Sequence, residues 1–196
     1  MRSQRTLLLV EVALTVALAA ALNFLALRLP INFAGGSISL SMVPIFVLAL
    51  RRGVGAGLIA GFAFGCVDLV IEPYFLAPIQ VLLDYGVAYA AVGLAGLGAS
   101  VFRRTSERSV LAGVAVSVPF MLLGGVARFA AAWTSGVVFF GSNAPKGQPV
   151  WLYSIVYNSS YLIPSLIISI TAAILILPVL QRAVPVLAPD SKAVSA

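Results

Sequence analysis

The chain has 196 residues, 61% of them hydrophobic and 9% charged, with a formal net charge of +6 and a mean hydropathy of +1.09. That balance excludes an ordinary soluble domain and describes a polytopic membrane protein. The absence of histidine and the single cysteine, Cys66, exclude a histidine metal site, a histidine general base and an intrachain disulfide.

Six helices are predicted, forming an all-α bundle in a single transmembrane domain over 1–196. The first, about 7–27, follows Arg2 and Arg5. It is long enough to span a bilayer and exceeds the apolar core of a secretory signal, so it reads as a retained helix. The second, about 38–50, is short. The third, about 54–72, carries Cys66, read as a small core residue, and ends at Glu72-Pro73, an interfacial position. The fourth, about 76–100, contains Gln80 and Asp84. The fifth, about 110–140, is too long to be straight, and Pro119 or Gly124-Gly125 is expected to bend it. The sixth, about 151–180, leads into a tail over 181–196.

Basic residues orient these spans. Arg2, Arg5, Arg51, Arg52, Arg103, Arg104, Arg108, Arg182 and Lys192 fall on one side, Arg28 and Lys146 on the other, and Arg128 within the fifth helix. The asymmetry places both termini in the cytoplasm of a multi-pass plasma-membrane protein. The basic loops suit anionic lipid, with no nucleic-acid partner implied. No internal repeat divides the chain, which argues against an inverted-repeat carrier.

Asp84 is the most informative residue. A lone carboxylate at membrane depth costs about 2.5–3.5 kcal/mol on insertion scales, so it faces a cavity or a partner. At a helical rise of about 1.5 Å per residue, it lies about 12 Å below the outer end of its helix. Asp68, Tyr153, Tyr157 and Asn158 also fall in the outer half, and the cytoplasmic half is almost purely apolar. Such a chain holds a solute in an outward-facing pocket; a pore needs polar lining throughout. Asp84 can neutralise a cation, with Gln80 one turn earlier on the same face. Tyr74, Tyr85, Tyr153, Tyr157, Phe139, Phe140 and Trp151 offer aromatic faces, and Asn158 can donate and accept hydrogen bonds at once. A flat, positively charged heteroaromatic solute fits this set. The alternatives are an Asp84–Arg128 ion pair, with Asp68 the preferred partner for Arg128, and belt roles for Tyr74 and Trp151.

On the first helix Ala13, Ala17 and Ala21 recur every four residues, a spacing that lets another helix approach closely. It serves either interior packing or docking of a second membrane subunit. The acids are Glu11, Asp68, Glu72, Asp84, Glu107 and Asp190, without an Asp-rich motif, which argues against a membrane-embedded enzyme. An autonomous secondary carrier with Asp68 or Asp84 as proton site is a further alternative. No cofactor is expected.

Several motifs in order carry a resemblance. They are Gly35-Gly36-Ser37-Ile38-Ser39-Leu40 with Met42-Val43-Pro44, Leu50-Arg51-Arg52-Gly53, and Pro78-Ile79-Gln80 through Asp84-Tyr85. Arg128-Phe129, Ser135-Gly136-Val137-Val138-Phe139-Phe140-Gly141 with Ala144-Pro145, and Trp151-Leu152-Tyr153-Ser154 with Tyr157-Asn158 follow. Over about 7–180 the chain resembles the thiamin-specific substrate-binding S components of energy-coupling factor transporters.

The resemblance implies a six-helix bundle with an outward-facing pocket for thiamin or a close analogue, lidded by the loop after the first helix. It also implies a membrane coupling subunit and two cytoplasmic ATPases as partners. The chain has no phosphate-binding loop, so ATP hydrolysis would be theirs. Ala13, Ala17 and Ala21 match the docking motif. Asp84, with Tyr85 beside it, takes the thiazolium-facing position. Tyr153 and Asn158 take the pyrimidine-binding positions and Phe140 the stacking position, within the motif that contains Gly136. Tyr74 adds an aromatic wall, and Phe33 stands for the lid aromatic. The chain departs from the pattern at Ala132, where histidine is usual, at Phe140, where Trp is common, and at Asp84, where Glu is common. These changes imply weaker thiamin binding or room for a different flat vitamin precursor.

Overall fold

The computed structural model describes residues 2–25 and 37–183, and the expectations for Phe33 and for the tail beyond 183 lie outside the described residues. The described residues form six helical rods: α1 (Arg2–Leu25), α2 (Met42–Arg52), α3 (Val54–Ile71), α4 (Pro78–Arg108), α5 (Val110–Phe139) and α6 (Val150–Ala183). All except α2 are long and apolar enough to cross a membrane. With 11 residues, α2 reaches only about 17 Å.

Local chemistry sets the boundaries. A single residue, Gly53, separates α2 from α3, and its φ of 97° lies in the region that favours glycine. Pro78 starts α4, where a missing N–H is harmless. Ser109 caps α5, its side chain accepting from the Ala112 N–H. α5 runs as one helix with Pro119 inside it. α4 is not uniform: Leu82–Val87 is a π-helical turn and Gly93–Gly98 a 3-10 stretch.

The rods close on one cluster near the end of the bundle formed by the α2–α3 and α4–α5 corners. Phe46 and Leu50 of α2, Phe64 of α3, Phe102 of α4, Met121 of α5 and Leu177 of α6 meet there, each almost fully buried. In lipid this packing stabilises through close van der Waals contact more than through removal of water. The core fills that end and leaves the loop end, where α3–α4 and α5–α6 connect, to polar side chains. Cys66 is exposed on α3, not in the core as its apolar neighbours suggested; the helix phase turns it outward.

α1 sits against α2 and α3. The Arg52 guanidinium grips Glu11 of α1 through two hydrogen bonds, Nε to Oε2 and Nη2 to Oε1. Ala13, Ala17 and Ala21 are all exposed, so this face packs against nothing among the described residues.

Candidate functional site

A cavity of about 510 Å³ opens at the loop end, well within the range for small-molecule sites. Its lining includes Tyr74, Asp84, Tyr85, Gly136, Phe140, Tyr153 and Asn158 from the sequence reading. It also includes Asp68, Gln80, Arg128, Ala132 and Tyr157. The residues come from α3, α4, α5, α6 and the α3–α4 loop, with Asn23 from the end of α1.

The π turn of α4 explains how one helix supplies so much of this wall. Its extra residue is marked by the Ala88 N–H bonding Leu83 O, five residues back. In a regular helix Ala88 and Tyr89 would lie about 80° and 180° from Gln80. The inserted residue absorbs about 100° of phase, bringing them to about −20° and 80°. Gln80, Asp84, Tyr85, Ala88 and Tyr89 therefore share one face, and all line the cavity.

Asp84 is aimed by Gln80. The buried amide donates from Nε2 to Asp84 Oδ2 at 2.7 Å and accepts the Leu76 N–H on Oε1 at 3.0 Å. Ser135 adjoins the same carboxylate, though its Oγ lies outside hydrogen-bond geometry with any described residue. Asp84 makes no ion pair with Arg128 among the described residues. Tyr85 is committed differently: its hydroxyl donates to Glu72 O at 2.7 Å and accepts from the Tyr74 N–H at 3.1 Å. It offers the cavity its ring, while its polar end holds the α3–α4 loop.

Asn158 is buried, and its amide nitrogen Nδ2 donates back to Ser154, to O at 2.8 Å and Oγ at 3.2 Å. The backbone carbonyl fixes the amide's orientation, because it can only accept. Oδ1 accepts from Tyr161 OH at 2.8 Å, which leaves its second lone pair for a solute.

Aromatic rings frame the mouth. Tyr74 stacks on Phe140 with centroids 5.7 Å apart, and Tyr153 stacks on Tyr157 at 6.0 Å. Trp133 does not line the cavity; its Nε1 donates to Trp151 O at 3.2 Å.

Beneath these lies a part of the floor that the sequence did not reveal. Tyr89 OH donates to Asp68 Oδ2 at 2.8 Å, and Asn23 Nδ2 donates to Oδ1 at 2.7 Å. Arg128, expected to pair with Asp68, instead lies over the Tyr89 ring, 4.1 Å from its centroid. Its Nη1 is buried without a hydrogen-bond partner among the described residues. Ser39 continues the network, its Oγ donating to Asn23 Oδ1 at 2.6 Å and its backbone N–H donating to Ser165 Oγ at 3.0 Å. The only sequence signals for these residues are polar groups near helix ends, which periodicity does not rank.

Known proteins resemble this chain in sequence and fold. The family described as "Thiamine transporter protein" matches residues 9–185. The "Thiamine transporter ThiT" of Bacillus subtilis is 42% identical over 172 residues, 85% of this chain and 88% of that one. The protein of the same name from Lacticaseibacillus paracasei is 32% identical over 185 residues, 90% of this chain and 89% of its own. A solved structure of ThiT from Listeria monocytogenes superposes with a TM-score of 0.78 at 30% identity, covering 93% of this chain and 97% of that one.

Proposed function

Since the chain belongs to the thiamine transporter protein family, we propose that it is a membrane transport subunit that captures thiamine in the loop-end cavity. The observation that carries this reading is an acidic side chain, Asp84, set among stacked aromatics in a cavity sized for a small solute. The thiazolium of thiamine is the cation Asp84 neutralises. Phe140 and Tyr74 supply ring faces, with Tyr85 closing the adjoining wall. Tyr153 and Asn158 take the pyrimidine, whose amino group donates to the free lone pair of Asn158 Oδ1, and Gly136 leaves room beside them.

The charge of the cavity supports a cationic ligand. Among the described residues its lining carries three acids, Asp68, Glu72 and Asp84, against one base, Arg128.

Release through the packed end requires help. Phe46, Phe102, Met121 and Leu177 fill it with apolar side chains, so a solute passes only if the bundle opens. A membrane coupling subunit and two cytoplasmic ATPases supply that step, the former docking on Ala13, Ala17 and Ala21. The loop end then faces outward, and both termini lie in the cytoplasm.

Isothermal titration of detergent-purified protein tests the reading. Thiamine is expected to bind at or below micromolar concentration with one site per chain. No heat with thiamine, alongside binding of an uncharged vitamin, defeats it.

A further inference from the structure

The wall that carries Asp84 is seated on α3 by a backbone contact that no side chain mediates. A Cβ built on Gly65 would lie 1.9 Å from the Tyr85 carbonyl oxygen and 2.7 Å from its carbon. One turn earlier, a Cβ on Gly61 would lie 2.2 Å from the Tyr89 carbonyl oxygen. Neither obstruction is a flexible side-chain tip; both are backbone of the segment that lines the cavity. The π turn spans Leu82–Val87, so the Gly65 contact falls inside it, on the residue after Asp84.

From this geometry we infer that Gly65 is a positioning residue for the cation site. Its bare Cα lets the Tyr85 carbonyl rest on α3, which holds the π turn at the depth and phase where Asp84 and Tyr85 face the solute. Any side chain at 65 pushes that carbonyl away by more than an ångström before ordinary contact is restored. The shift carries the Asp84 carboxylate with it. Binding groups must be held within about 0.5 Å of their productive geometry, and the attraction of a charge pair falls with separation. Gly65 therefore acts on affinity through Asp84, without touching the ligand. The inference rests on the thiamine reading above.

Gly57 provides the contrast. A Cβ there would lie 2.6 Å from Ala49 Cβ of α2 and 2.8 Å from Gly93 Cα of α4, an obstruction on the same helix as Gly65 but away from the π turn. Neither Gly57 nor those neighbours line the cavity. Both substitutions disturb packing, and only one disturbs the π turn.

The experiment is thiamine titration on detergent-purified wild type, Gly65→Ala and Gly57→Ala, each also in an Asp84→Asn background, with thermal unfolding of the unliganded proteins recorded alongside. Gly65→Ala is expected to weaken thiamine at least tenfold. Gly57→Ala, at a similar loss of thermal stability, is expected to stay within about threefold. In the Asp84→Asn background the Gly65→Ala loss is expected to shrink to about threefold or less, because the group it displaces is gone. If Gly65→Ala does not fold, Gly61→Ala replaces it, acting through the Tyr89 carbonyl. Equal losses from the two glycines, or an undiminished loss in the Asp84→Asn background, overturn the inference and leave the thiamine reading standing. A wild type that binds no thiamine overturns both.

Discussion

Arg128 and Tyr89 form a face-on cation–π pair, the guanidinium carbon 4.1 Å from the ring centroid, and the same tyrosine donates its hydroxyl to Asp68. One aromatic side chain thus mediates between a buried cation and a buried anion. A desolvated cation–π contact is worth about 2 kcal/mol, and a buried hydrogen bond to a charged group about 1.5–3 kcal/mol. Tyr89→Phe keeps the ring and is expected to cost about 1–2 kcal/mol of stability. Tyr89→Leu strips both contacts and is expected to cost about 3 kcal/mol or more. Thermal unfolding in one detergent checks the order. Equal losses would mean that the ring contributes nothing to holding Arg128.

Asp84 carries the second prediction. Asp84→Asn keeps an acceptor for Gln80 but removes the charge. Thiamine affinity is expected to fall by about 10- to 100-fold, equivalent to about 1.4–2.8 kcal/mol. An analogue with a neutral ring in place of the thiazolium is expected to lose less than about threefold, well under 1 kcal/mol. Equal losses for both ligands would make Asp84 a structural acid.

Asn158 Oδ1 accepts from Tyr161 and keeps a second lone pair, which suits a donor on the ligand. In wild type, deleting the ligand's pyrimidine amino group is expected to cost about 1–3 kcal/mol, the penalty for an unsatisfied buried acceptor. In Asn158→Ala the same deletion is expected to cost almost nothing. A double-mutant cycle by titration checks the coupling; independent effects would place the pyrimidine elsewhere.

Phe140 stacks on Tyr74 at the mouth. Phe140→Ala removes that surface and is expected to weaken thiamine by about tenfold, near the 0.5–1.5 kcal/mol of an aromatic pair. Phe140→Trp is expected to bind at least as tightly as wild type. Competitive titration ranks the three, and an unchanged alanine variant would remove Phe140 from the site.

The helical order, and the gathering of acids and aromatics at one end, could be read from the sequence because apolar length and lone charges in lipid leave few choices. Asp84 stood out since nothing nearby in sequence neutralises it. Other features were not legible. The π turn at Leu82–Val87 lies in an apolar run that reads as regular helix, and it sits against α3, a relation between distant segments. Cys66 was misplaced because a membrane helix is apolar on its lipid face as well as its inner one, so composition does not tell them apart. The role of Tyr89 was missed because its partners, Asp68 and Arg128, lie 21 and 39 positions away.

The arrangement of Asp68, Tyr89, Arg128 and Asp84 has an electrical consequence. Among the described residues the cavity lining carries three acids, Asp68, Glu72 and Asp84, against one base, Arg128, so a bound monovalent cation cancels one charge of a net negative cavity. Carrying a unit charge across a membrane potential involves about 2.3 kcal/mol per 100 mV. A bundle that moved this cavity through the field of the membrane would therefore feel the voltage through one more negative charge when vacant than when loaded.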